Sequence, residues 1–185
     1  GAEPANDPSV RFAQILAAAE SGTNPATTAA AVVATAMAED AVLRVEATRL
    51  LTERPDLRSK VDGLHWSRLL SRATGETQDV PYKIALAELC AEQRLDGVFD
   101  ALLISVGPVT DAEYARTVGR IGMALHGEDA ANRIQARLRM AAEAKDRQAL
   151  LLSLGATNTT GALDALLAMD RKDPAVLSEI GRAHV

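Results

Sequence analysis

With 185 residues, 48% of them hydrophobic, the chain can build one sizeable core or one continuous helical array. Its formal net charge of −5 argues against an electrostatic footprint for nucleic acid or an anionic membrane surface, and its single cysteine leaves no internal disulfide to form. Aromatic residues are only 3% of the chain, so the core must come from Leu, Val, Ile and many alanines.

Taken in order, the chain opens on GAEPANDPS, polar and proline-containing, which reads as a flexible tail over residues 1–9. It starts with Gly rather than Met, as expected of a processed or trimmed N-terminus. Asp7-Pro8 then begins a helix, with an acceptor at the N-cap and proline where a missing N–H is harmless. Phe12, Ile15 and Leu16 give that helix its apolar face, and Gly22 ends it. Asn24-Pro25 repeats the same opening for an alanine-rich helix carrying Val32, Val33 and Met37. From there to Arg54 only Glu39-Asp40 interrupts the pattern; the stretch can be one long helix or two, and a break near residues 38–40 is the favoured expectation. The longest uncharged run, 23–38, is too short and too polar for a bilayer span of roughly 20 apolar residues. No membrane insertion is expected, and the leaning is to a soluble, cytoplasmic protein.

Pro55 closes that region, and Asp56 is expected to cap a helix over 57–73. TGETQDV is a polar loop, and Pro81 starts the next helix. Gly107-Pro108 breaks the chain again. Thr110 and Glu113 have the spacing of a capping box, Tyr114, Val118, Ile121 and Leu125 follow at helical spacing, and Gly127 stops the helix. Glu128 and Asp129 lie where the next helix dipole favours acid, with Arg137 and Arg139 further along. The last stretch, 147–183, reads as three short helices, the first of them stopped by Gly155. No stretch shows the two-residue alternation of a strand. The expectation is an all-α protein of about nine or ten helices.

An internal repeat underlies this punctuation. KIALAELCAEQRLDGVFDALL, from Lys83 to Leu103, lies on RQALLLSLGATNTTGALDALL, from Arg147 to Leu167, without a gap. Ala85 falls on Ala149, Leu86 on Leu150, Gly97 on Gly161, and DALL on DALL. Between them Ile121, Leu125, Ile134 and Leu138 fall on Leu150, Leu154, Leu163 and Leu167, which makes those leucines candidates for burial between repeats. Spacings of roughly 30 to 40 residues per helix pair suit helical arrays. Short helices of this kind can bury their apolar stripes only against neighbours like themselves.

The stretch LLLSLGATNTTGALDALLAMDRKDPAVLSEIGRA resembles a HEAT repeat, of the short bacterial kind also seen in phycobilin-lyase-type proteins. The likeness lies in a first helix ending in LG, an AL-x-x-LL second helix, and D-x-x-D-P before the next. It implies a right-handed α-solenoid of antiparallel helix pairs forming a single domain over 10–185. Such proteins are mostly interaction scaffolds, so the resemblance implies architecture more than chemistry.

The residues offer little chemistry. His65, His126 and His184 stand far apart, none with a second histidine or cysteine at i+3 or i+4. G-x-S-x-G, P-loop and G-x-G-x-x-G motifs do not occur; GRIG at Gly119–Gly122 lies inside a helix, where glycine permits close packing. Cys90 on an apolar helical face reads as a small buried hydrophobe. No catalytic residue, metal ligand or cofactor is assigned. Two features stand above this background: Trp66, the only tryptophan, with Arg68 and Arg72 on its helix, and the trio Arg133, Arg137 and Arg139. The tryptophan can plug the core beside Leu69 and Leu70 while the arginines solvate a surface. Alternatively the two helices line the inner side of a solenoid, where Trp66 and these arginines would contact an acidic or carboxylate-bearing protein partner. The leading expectation is a non-catalytic scaffold. The alternatives are a HEAT-like enzyme or lyase-type accessory, and less favourably a HEAT-like nucleic-acid-binding module.

Overall fold

Asp, Asn and Thr side chains placed just before apolar runs decide where this chain turns helical. In the computed structural model, which describes residues 7–22, 24–75, 79–107, 111–169 and 174–183, no strand occurs among the described residues and twelve helices do. Residues 1–6, 76–78, Pro108, Thr110, 170–173 and His184 lie outside them, as do the side chains of residues 174, 175, 182 and 183. The helices are α1 Pro8–Ser21, α2 Pro25–Ala36, α3 Ala41–Glu53, α4 Pro55–Arg58, α5 Gly63–Thr74 and α6 Val80–Glu92. They continue as α7 Val98–Ile104, α8 Ala112–His126, α9 Asp129–Met140, α10 Ala144–Ala156, α11 Thr160–Ala168 and α12 Pro174–Ala183. The excess over nine or ten includes α4, a single turn that separates from α5. The chain divides into two compact units, Gly1–Gln93 and Arg94–Val185.

In the first unit, Asp7 accepts from the Ser9 N–H at 2.8 Å, so Pro8 and Ser9 are helical rather than part of a tail. Gly22 ends α1 in the left-handed region at φ 65°, where glycine carries no Cβ penalty. The expected break near residues 38–40 is present: α2 stops at Ala36, and the Asp40 carboxylate takes the Val42 and Leu43 N–H groups to start α3. The helix expected from Asp56 is corrected. Only Pro55–Arg58 is helical there, because Arg58 folds back onto the C-terminal carbonyls of α3. Asp62, not Asp56, caps the next helix by accepting from the His65 N–H at 2.9 Å.

The unit closes around α6, which is buried along most of its circumference through Tyr82, Ala85, Leu86, Ala87, Leu89 and Cys90. Helices α3 and α5 pack on it, and α2 packs on α3. Asp79 both caps α6 through the Tyr82 N–H and pairs with Arg44, whose guanidinium lies 4.6 Å from the centre of the Tyr82 ring. The Tyr82 hydroxyl donates to the Ala36 carbonyl at 2.6 Å, tying α6 to the end of α2.

In the second unit, α8 packs on α10, α10 on α12, and α9 on α11, while consecutive helices from α7 to α12 also touch. The contact of α8 with α10 is a close one between small residues. A Cβ on Gly119 would lie 2.0 Å from the Ser153 carbonyl oxygen, and the Ser153 hydroxyl donates to the Ala115 carbonyl at 2.7 Å. Three expectations are corrected here. Gly155 does not stop its helix; α10 runs on to Ala156, and Gly155 leaves room for the buried Glu179 side chain of α12. The cap of α8 is Asp111, which accepts from the Glu113 N–H at 2.7 Å; Thr110 is outside the described residues. Of the in-phase positions, Leu150, Leu154, Ile121, Ile134 and Leu138 are buried, but Leu125, Leu163 and Leu167 are half-buried. In α11 the buried stripe is Ala162 and Leu166, one residue back from the repeat register.

Candidate functional site

Helix α5 owes its two faces to its spacing. Trp66, Leu69 and Ala73, at i, i+3 and i+7, are buried together, and Trp66 is only 6% exposed. The tryptophan therefore fills the core of the first unit and is no surface anchor. Arg68 and Arg72 are exposed and make no ion pair among the described residues. At about 100° per residue they fall on one stripe with Leu64, which is 61% exposed.

Helix α9 carries a similar stripe in the second unit. Arg133, Arg137 and Met140 share a face at i, i+4 and i+7, and Met140 is 76% exposed. Arg139 is exposed on another side. Arg137 and Arg139 have no ion pair among the described residues, whereas Arg133 is heavily engaged. Its Nε donates to Asp129 at 2.8 Å, and its Nη1 lies 3.1 Å from each oxygen of Asp100. These bonds raise the affinity of Arg133 for its proton, Asp129 first and then Asp100, and the Arg133 guanidinium holds the Asp129 carboxyl below its usual range. Being exposed, the cluster aligns α9 with α7 more than it stabilises the fold.

Arg133 also borders a cleft of about 280 Å³ between α7, α8 and α9. Its wall is apolar where Val98 and Phe99 are buried and Leu125 is half-buried. The His126 ring lies against Phe99 with centroids 5.3 Å apart and planes tilted by 42°. Arg94, Asp96 and Asp100 form the rim. Arg94 holds φ 53°, a left-handed conformation uncommon outside glycine, asparagine and aspartate, and it makes the turn from α6 toward α7. Gly122 keeps this wall in place, since a Cβ there would meet the Phe99 ring at 2.5 Å. Sequence reasoning singled out Arg133 but missed Arg94, Phe99 and His126; the fold brings the cleft together from three separate stretches, 94–100, 125–126 and Arg133.

Other reactive side chains are accounted for. Cys90 is fully buried in α6, and that burial pushes its thiol up to about 12. His65 is tied to Asp62 at 2.9 Å, a contact that, after the backbone N–H of His65, holds the Asp62 carboxyl low. No group of three or more His, Cys, Asp or Glu that could hold a metal ion occurs among the described residues, and no helix there is long and apolar enough to cross a membrane. No protein-family model matches the chain, and no curated protein or solved structure matches it.

Proposed function

We propose that this chain is a non-catalytic interaction scaffold built of HEAT-like helical repeats, and that an acidic segment of another protein binds the arginine stripe of α5 in the first unit or that of α9 in the second. The observation that carries this reading is the unused charge on those stripes. Arg44, Arg49, Arg54, Arg58, Arg116 and Arg120 each reach a carboxylate. Arg68 and Arg72 on the α5 stripe and Arg137 on the α9 stripe reach none among the described residues, nor does Arg139 on another side of α9, in a protein whose net charge is −5. Acidic side chains are plentiful enough to have paired them. Each stripe also places an exposed apolar residue, Leu64 or Met140, next to its arginines. Arginine beside a large apolar side chain is the composition of an interface centre, since guanidinium binds carboxylate through two parallel bonds and the apolar neighbour excludes water.

Two observations support the repeat architecture. The offset between 83–103 and 147–167 recurs without a gap, and in the second unit every other helix packs on its counterpart, α8 on α10, α10 on α12 and α9 on α11. Alternating contacts of this kind suit stacked helix pairs, in which one row of helices is left to bind.

The test compares proteins captured from a lysate by immobilised wild-type chain, by Arg68→Ala with Arg72→Ala, and by Arg137→Ala with Arg139→Ala. At least one double variant should lose an acidic partner while its circular dichroism stays unchanged. Identical capture by all three would place any binding surface elsewhere.

A further inference from the structure

In the second unit, two successive stacking contacts close on a glycine. Helix α10 meets α8 at Gly119, which faces the Ser153 backbone and the Ala156 methyl. Helix α12 meets α10 at Gly155, which leaves room for Glu179. The register is the same at both. Ser153 stands two residues before Gly155, and Glu179 stands two residues before Gly181. Thus α10 fills the glycine of α8 and offers its own glycine two residues on, while α12 fills the glycine of α10 and carries Gly181 at the offering position. By this register Thr117, Ser153 and Glu179 are equivalent, and all three are buried. Gly119, Gly155 and Gly181 are equivalent too, but only the first two are covered; a Cβ on Gly181 would meet nothing within 4 Å. The position four residues before each glycine behaves alike: Ala115 and Leu151 are buried, whereas Leu177 is 52% exposed. The Gly181 backbone is not left-handed, so conformation does not require glycine there, and glycine is less favourable in a helix than alanine. The face of α12 bearing Leu177, Ser178 and Gly181 continues an interface that is already closed twice.

We propose that this face of α12 docks a helix of a partner protein in the way that α10 docks on α8. The existing contact sets the partner's chemistry. What α10 lays on Gly119 is Ser153 and Ala156, two small residues at i and i+3. The partner helix carries such a pair over Gly181, with apolar side chains beside it that cover Leu177. Leu177, Ser178 and Gly181 are uncharged, so the contact is made by packing rather than by ion pairs. Close approach at a glycine adds dispersion contacts along both helices, and covering Leu177 removes apolar surface from water. A second folded copy is the poorer occupant, because its residues at the filling position, Thr117, Ser153 and Glu179, are already buried. Neither arginine stripe supplies a residue to this face, so the proposal stands apart from the acidic-segment reading.

The test titrates the full chain, followed by 1H–15N chemical shifts, with a capped peptide of residues 144–157, the sequence of α10 itself. A hydrocarbon staple across positions 144 and 148, both exposed in the fold, keeps the short peptide helical. Saturable shifts are expected at the Leu177, Ser178 and Gly181 amides, with the Gly63 amide unmoved. Gly181→Leu has open space for its side chain in the free protein, so its thermal midpoint should not fall, yet it should weaken the peptide about tenfold or more by overpacking the contact. A peptide with leucine in place of both Ser153 and Ala156 should lose about as much, and Leu177→Ser less. Absence of saturable shifts, or unchanged affinity in Gly181→Leu, would overturn the proposal. So would sedimentation showing that the chain alone forms a dimer which Gly181→Leu abolishes, since the face would then belong to a second copy. Because Gly181→Leu leaves Arg68, Arg72, Arg137 and Arg139 in place, capture of an acidic partner by that variant separates failure here from failure of the stripes.

Discussion

At the scale of single residues, glycines do more here than punctuate. Gly119 and Gly122 lie inside α8, on a face pressed against other backbone and ring atoms. A methyl group on Gly119 would fall 2.0 Å from the Ser153 carbonyl oxygen, which belongs to the backbone of α10 and cannot swing aside. Gly119→Ala should therefore cost about 1–3 kcal/mol through overpacking, read as a lowered midpoint in chemical denaturation. Gly63 begins α5 with open space around its missing Cβ, so Gly63→Ala should be neutral or stabilise by about 0.5 kcal/mol. If both substitutions moved the midpoint equally, the close approach of α8 to α10 would not be what holds Gly119 in place. Cys90 gives a second prediction. Its thiol is raised by burial from 9.0 to about 12, so the native state keeps the proton that the unfolded chain releases. The associated stability is complete below pH 9 and is lost progressively as pH rises toward 12. Thiol reagents at pH 8 should leave the native protein unlabelled and label it fully in denaturant.

At the scale of the element, α11 separates two leucines that the repeat register does not. Leu166 is fully buried, while its neighbour Leu167 is half-buried. Leu166→Ala should cost about 2–5 kcal/mol by leaving a cavity, and Leu167→Ala less than half of that. Equal losses would restore the register read from the aligned copies. The same helix shows what the sequence could and could not convey. Caps and breakers were legible because they act within one turn: Asp7, Asn24 and Gly22 sit where their spacing implied, and so does the break before Asp40. Asp56 and Gly155 misled because their settings are tertiary. Arg58 bonds the end of α3 and leaves α4 a single turn, and Gly155 faces Glu179 from a helix distant in sequence. The arginine stripes were half legible, since helical spacing placed Arg68 with Arg72 and Arg133 with Arg137. Spacing also placed Trp66 with Leu69, in keeping with its core reading, but it could not tell that Asp100, far upstream, takes hold of Arg133. The cleft was hidden for the same reason: Arg94, Phe99 and His126 carry no local motif and meet only in the fold.

At the scale of the whole molecule, the division of the chain at Gln93 and Arg94 gives each unit a core of its own. In the second unit Phe99, Leu102, Tyr114, Ile134, Leu150 and Leu154 are among the most deeply buried side chains. Their contacts run between helices α7 to α12, joined by short connections. Contacts that are local in sequence cost little loop-closure entropy, and a segment of this length with its own core falls within the usual size of a folding domain. Residues 94–185 expressed alone should therefore give a helical circular dichroism spectrum and a single cooperative thermal transition. The Gly119→Ala substitution should lower that transition by an amount similar to its effect in the full chain, because Ser153, the group it strikes, lies within the same fragment. The fragment should also keep the cleft, since every residue lining it lies at or beyond Arg94. A fragment that is helical but melts without a sigmoidal transition would show that side-chain packing in the second unit depends on residues before Arg94.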